Sequence, residues 1–200
     1  MGVTEAPLKR ELQILFNALC DGLRQEVRQR YLASMATNQD FSMTKEREAG
    51  VASSLASQLR LLGFGVQIDA YFPGGPSTRR PDFGIWLPAS KKYIYLELKT
   101  TAWGADYQYY YQGAIEDIKK LYEDTNVQNQ LNGLIALGFS KPEERPEQLL
   151  VGFKKLSKNI TENFPYEKIG VQRIDLQDMD KRTSYAVIGL WFRKPIKEPK

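Results

Sequence analysis

The sequence predicts a mixed α/β domain with helices covering a central sheet, and three observations carry that reading. Apolar residues recur at intervals of three and four over residues 5–35 and again over 51–62, the period of one helix face. Alternating or continuously apolar runs of strand length occur at 64–72, 82–87, 93–100 and 131–140. Two further strand-like runs, KIGVQRIDL and SYAVIGLWF, follow a helical stretch near the C-terminus. The resulting order, ααβββαβαββ, interleaves the two periods as a helix-covered sheet requires.

In the first helix Leu8, Leu12, Leu15, Leu19, Leu23 and Val27 form one apolar stripe. NQDFS at 38–42 breaks it. Thr44 stands where a second helix would be capped, with Arg47 in place of the Glu of a capping box. Val51, Leu55, Leu59 and Leu62 stripe that helix, and Gly63 ends it. FGVQIDAYF alternates as a strand, and PGGPSTRR reads as a loop. DYQYYYQGAIEDIKKLYED is helical, with Tyr107, Tyr111, Ala114, Ile118 and Leu121 as its core stripe. LNGLIALGFS is apolar throughout, as central parallel strands are. PEQLLVGFKKLSKNI is a fourth helix, and KPIKEPK a loose tail. The expected organisation is a helical extension over residues 1–40 followed by one domain over 41–195.

Composition narrows the chemistry. With a single cysteine, Cys20, an intramolecular disulfide is impossible and a thiolate metal cluster is not expected. With no histidine, Ser-His and Cys-His catalysis and His-ligated zinc are excluded. Any hydrolytic chemistry must therefore run on carboxylates and lysine, with or without a hard metal ion. A net charge of +4 and a pI near 9.0 are compatible with a nucleic-acid partner without demanding one. No apolar run approaches the roughly 20 residues that span a bilayer. MGVTEAPLKRELQ lacks a signal-peptide core. The expectation is an intracellular, cytoplasmic protein with no membrane partner.

The informative stretch is RRPDFGIWLPASKKYIYLELKTT, residues 79–101. Alternate residues of a strand share a face. Phe83, Ile85 and Leu87 therefore oppose Asp82, Gly84 and Trp86, while Ile94, Leu96 and Leu98 oppose Tyr93, Tyr95, Glu97 and Lys99. Pairing the runs as a hairpin puts the two apolar sets together on the core face. It sets Asp82 beside Glu97 or Lys99, because partner numbers must sum to 179 or 181 for the faces to match. Glu97 and Lys99 stand roughly 7 Å apart along their strand. Gly84 is expected to leave the charged patch open. Two such carboxylates can hold a hard divalent cation, and an ammonium beside them can orient a water or offset phosphate charge. A cross-strand Asp–Lys pair on an exposed sheet face would give the same pattern without function.

Pro81-Asp82, fourteen residues, then Glu97-Leu98-Lys99 resembles the signature of the PD-(D/E)xK nuclease superfamily, over about residues 44–140. An acidic residue two before a lysine occurs three times here, ending at Lys99, Lys119 and Lys200, but only the Glu97 copy lies in a strand-like run after Pro-Asp. The resemblance implies a restriction-endonuclease-like fold, a mixed central sheet flanked by helices, with the N-terminal helix as an addition. It implies a metal-dependent nuclease hydrolysing phosphodiesters, with DNA the expected substrate and an endonuclease the expected type. Asp82 and Glu97 would ligate Mg²⁺, with Mn²⁺ a possible substitute. The Leu98 carbonyl would join them, and Lys99 would position the attacking water. Glu48, on the stripe leading to Val51, Ala52 and Leu55, is the choice for the acid that many members add from the first core helix. A non-cleaving nucleic-acid-binding or assembly module on the same fold is the alternative, and a homodimer would suit cutting both strands.

Arg79 and Arg80 directly precede the motif, where they would clamp a phosphate or neutralise the carboxylates. Gln112 and Lys119 share a helix face suited to backbone contact, or to solvation. Tyr109 and Tyr110 would stack on an exposed base or pack.

Overall fold

The computed structural model describes residues 5–37, 48–70, 80–101, 107–123, 130–139, 146–175 and 185–193. Their elements follow the expected order: α1 (Glu5–Thr37), α2 (Glu48–Leu61), β1 (Gly65–Ile68), β2 (Phe83–Leu87), β3 (Lys92–Thr101), α3 (Tyr107–Glu123), β4 (Leu131–Phe139), α4 (Pro146–Asn163), β5 (Tyr166–Asp175) and β6 (Tyr185–Arg193). The strands form one mixed sheet in the order β1-β2-β3-β4-β6-β5. Among the described strands only β3 and β4 run parallel, and α3 crosses between them. The remaining neighbours are antiparallel. Thr44, Tyr71, Phe72, Arg79 and the PGGPS segment lie outside the described residues.

The α1 stripe from Leu8 to Val27 is buried, and it shares one core with Val51, Leu55 and Leu59 of α2. The same core takes Phe83, Ile85, Leu87, Ile94, Leu96 and Leu98 from the hairpin. Each such side chain contributes about 1.5–3 kcal/mol when fully buried. The N-terminal helix thus caps the sheet as part of its main core. Gly63 ends α2 in the left-handed region, φ +89°, which glycine adopts without a Cβ penalty.

The opposite sheet face is covered by α3 and α4. Ala114, Ile118, Leu149, Phe153, Leu156 and Ile160 pack there on Leu134, Ala136, Val187 and Trp191. This second face holds the charged half of β3, because Glu97 pairs with Leu134 and Lys99 with Ala136 in the parallel ladder. A strand with apolar residues on both sides and charges at one end of one side is what burial between two helix layers leaves.

Candidate functional site

The register is the one whose partner numbers sum to 179: Phe83 opposes Leu96 and Leu87 opposes Lys92. Continued by one residue, it sets Asp82 across from Glu97 rather than Lys99. Asp82 lies just before β2, and there the chain turns away from β3. The Pro81 and Asp82 carbonyls accept from Ala70 N at 3.0 Å and Asp69 N at 3.1 Å. The Leu98 N–H that faces this point donates to Asp82 Oδ2 at 2.6 Å. In an extended strand a residue's N–H and C=O point to the same edge. The Leu98 carbonyl therefore faces the Asp82 side.

The register sets the Asp82 and Glu97 side chains across from each other on one face. Burial raises the Asp82 carboxyl above the usual carboxylate range. The hydrogen bonds from Leu98 and Glu97 oppose that rise, and the nearby charges of Asp117 and Asp69 add to it. Two carboxylates set side by side repel each other, and a proton or a cation relieves that repulsion. The donors are all oxygen, which suits a hard divalent ion with water completing its shell. Among the described residues no three His, Cys, Asp or Glu side chains converge as a metal-holding group, so Asp82 and Glu97 stand as a pair.

Lys99 lies on the same face of β3 as Glu97. Its ammonium is 3.4 Å from Asp117 Oδ2 of α3. Sequence reading does not single out Asp117, because Asp117-Ile118-Lys119 looks like a chance copy of the motif inside a helix. A signal is nonetheless present: Asp117 borders the buried Ala114–Ile118–Leu121 stripe, so it has to lie close to the sheet.

Gly84 corrects the expectation of an open patch. A Cβ there would lie 2.4 Å from Tyr93 Oη and 2.7 Å from Ala70 Cβ. Its small size makes room for those neighbours, and the patch is closed on that side by packing. Tyr95 is buried beside it, edge-on to Tyr93 with ring centroids 5.1 Å apart.

The other sequence candidates fall as follows. Glu48 opens α2, whose buried stripe faces the core on the other side of the sheet, and its side chain lies outside the described residues. Arg80 is exposed directly before Pro81, and Arg79 is outside the described residues. Gln112 is exposed and lines a groove of about 550 Å³ between α3 and α4, together with Tyr111, Lys155, Lys158 and Asn159. Lys119 is about 200° around the helix from Asp117. It pairs with Glu123 at 3.7 Å and does not join the Asp82–Glu97–Lys99 patch. The side chains of Tyr109 and Tyr110 are outside the described residues. Among the described residues no helix is long and apolar enough to cross a membrane.

No protein-family model, no curated protein and no solved structure matches the chain.

Proposed function

We propose that the chain is a metal-dependent nuclease of the PD-(D/E)xK type, with a restriction-endonuclease-like fold and DNA as substrate. The observation that carries this reading is the register that sets Asp82 across from Glu97, tied to β3 by the Leu98 N–H, with Lys99 next along the same strand face. A chain that needed only a stable sheet would gain nothing from pressing two acids together in a part-buried place.

In this reading Asp82, Glu97 and the Leu98 carbonyl would hold Mg²⁺, or Mn²⁺ in its place. The ion, when bound, supplies Lewis-acid stabilisation of charge on the phosphoryl oxygens. Lys99 Nζ orients the attacking water and offsets phosphate charge. Asp82 Oδ2 keeps its Leu98 hydrogen bond, which fixes the carboxyl relative to β3. Arg80 and Gln112 contact the nucleic-acid backbone, and a second copy of the chain would place a second site on the other strand.

A second reading is a nucleic-acid-binding module that does not cut. It is favoured by the ion pair that already engages Lys99. A cleavage assay separates the two, with labelled duplex, single-stranded and branched DNA and with RNA, each with Mg²⁺, Mn²⁺ or EDTA. Metal-dependent cleavage lost in Glu97→Ala and Lys99→Ala is the expected result. Cleavage retained in either variant would sink the assignment, and salt-sensitive binding without any cutting would select the second reading.

A further inference from the structure

The geometry points to Gly113 and Asp117 as a cradle that fixes Lys99 in place, which makes Asp117 a positioning residue for the reaction proposed above; the inference rests on that reading of the site. Gly113 and Asp117 stand four apart on α3 and share one face of the helix. Both meet the same side chain. A Cβ at position 113 would lie 3.0 Å from Lys99 Cε and 3.8 Å from Nζ. Asp117 Oδ2 is 3.4 Å from Nζ. The stem of Lys99 therefore runs along the bare backbone at Gly113, and its ammonium ends at Asp117.

A lysine on a four-carbon stem has many rotamers, and orienting a water requires one of them. The Lys99 side chain keeps 28% of its surface exposed, so sheet packing alone does not settle where the ammonium sits. The cradle settles it from the helix side, over the face that carries Glu97. The second oxygen of Asp117 is also engaged: Oδ1 is 3.3 Å from Lys120 Nζ. With an ammonium on each oxygen, Asp117 serves the lysine and is not a third donor to the carboxyl pair. The absence of a three-acid group among the described residues agrees with this division of roles. A part-exposed ion pair adds little to stability, so position is what this one supplies.

The test uses two readouts on the full chain. The first is acylation of Lys99 by an amine-reactive reagent without metal, followed by mass spectrometry. Asp117→Asn, which keeps size and shape, should raise Lys99 labelling about two- to five-fold, the loss expected for a pair of this exposure. The second is metal-dependent cleavage. Asp117→Asn should lower kcat about 10- to 100-fold with little change in KM, as misplacement of a catalytic group does. Asp117→Glu should restore part of that loss. Gly113→Ala gives an independent check. Alanine is the better helix former, so a fall in kcat there without loss of thermal stability reports the displaced lysine stem. Unchanged Lys99 labelling in Asp117→Asn overturns the cradle. Cleavage by the wild type with an unchanged kcat in Asp117→Asn overturns the positioning role alone. No cleavage by the wild type overturns the nuclease reading, and the catalytic part of this inference with it.

Discussion

Leu98 gives its backbone N–H to a side chain, Asp82 Oδ2, at 2.6 Å, where a regular hairpin would offer it a carbonyl. The reason lies one strand away. Both carbonyls of Pro81-Asp82 are taken by Ala70 and Asp69, on the β1 side. Asp82 thus has a structural duty as well as a proposed chemical one.

That double duty separates two substitutions. Asp82→Ala strands the Leu98 N–H in part-buried surroundings, a loss of about 1–3 kcal/mol. Asp82→Asn keeps an acceptor oxygen. The Asn variant should melt above the Ala variant by about 2–4 °C for each kcal/mol retained. Thermal unfolding of the two variants side by side checks this, and equal melting temperatures would deny Asp82 its role as acceptor.

The raised Asp82 carboxyl sets a pH dependence. Its folded pKa lies above its unfolded one. The protonated carboxyl is therefore the form the fold prefers, a preference fully present below the unfolded pKa and lost as pH rises through the folded pKa. Asp82→Asn should thus gain stability over wild type at neutral pH, and the gain should shrink as pH falls through the carboxylate range. Mg²⁺ at neutral pH should raise the wild-type melting temperature and leave that of Asp82→Asn nearly unchanged. Calorimetry at several pH values, with and without Mg²⁺, reads both effects.

Gly84 tests the packing beside the site. Gly84→Ala drives a methyl against Tyr93 and Ala70, and overpacking of this kind costs about 1–3 kcal/mol. Chemical denaturation should show a lower midpoint with the slope unchanged. A neutral outcome would mean the Tyr93 ring yields easily.

Glu11 tests the link from α1 to the hairpin. Its buried carboxylate accepts from Ala89 N and Ser90 N, each at 2.8 Å. Glu11→Ala leaves both donors of the β2–β3 turn without that partner, and should cost about 2–4 kcal/mol given typical bonds to a charged acceptor. Denaturant unfolding measures the loss, and a cost under about 1 kcal/mol would show that water replaces the carboxylate.

The hairpin shows how far a sequence can be read. Its two faces were legible because side chains alternate, and burial tolerates only one assignment. Phe83, Ile85, Ile94 and Leu96 go to the core as the alternation requires. The choice between partner sums of 179 and 181 was not legible. It depends on the turn, where Lys91 takes a positive φ of 54° and Glu11, 78 and 79 residues upstream, holds Ala89 and Ser90. A contact across that much chain leaves no local pattern. Gly84 misled for a similar reason: a missing side chain says that something is close or that nothing is, and only the position of Tyr93 decides which.

By itself the sequence determined the elements, their order and the strand face shared by Asp82, Glu97 and Lys99, because these follow from period and polarity along the chain. The absence of histidine and the presence of one cysteine likewise limited the chemistry before any fold was known. Tertiary structure alone decided that Asp82 stands across from Glu97, that Leu98 bonds to Asp82, and that Asp117 reaches Lys99. The first two depend on the hairpin register and on β1 taking the Pro81 and Asp82 carbonyls, and the third on the packing of α3 against the sheet.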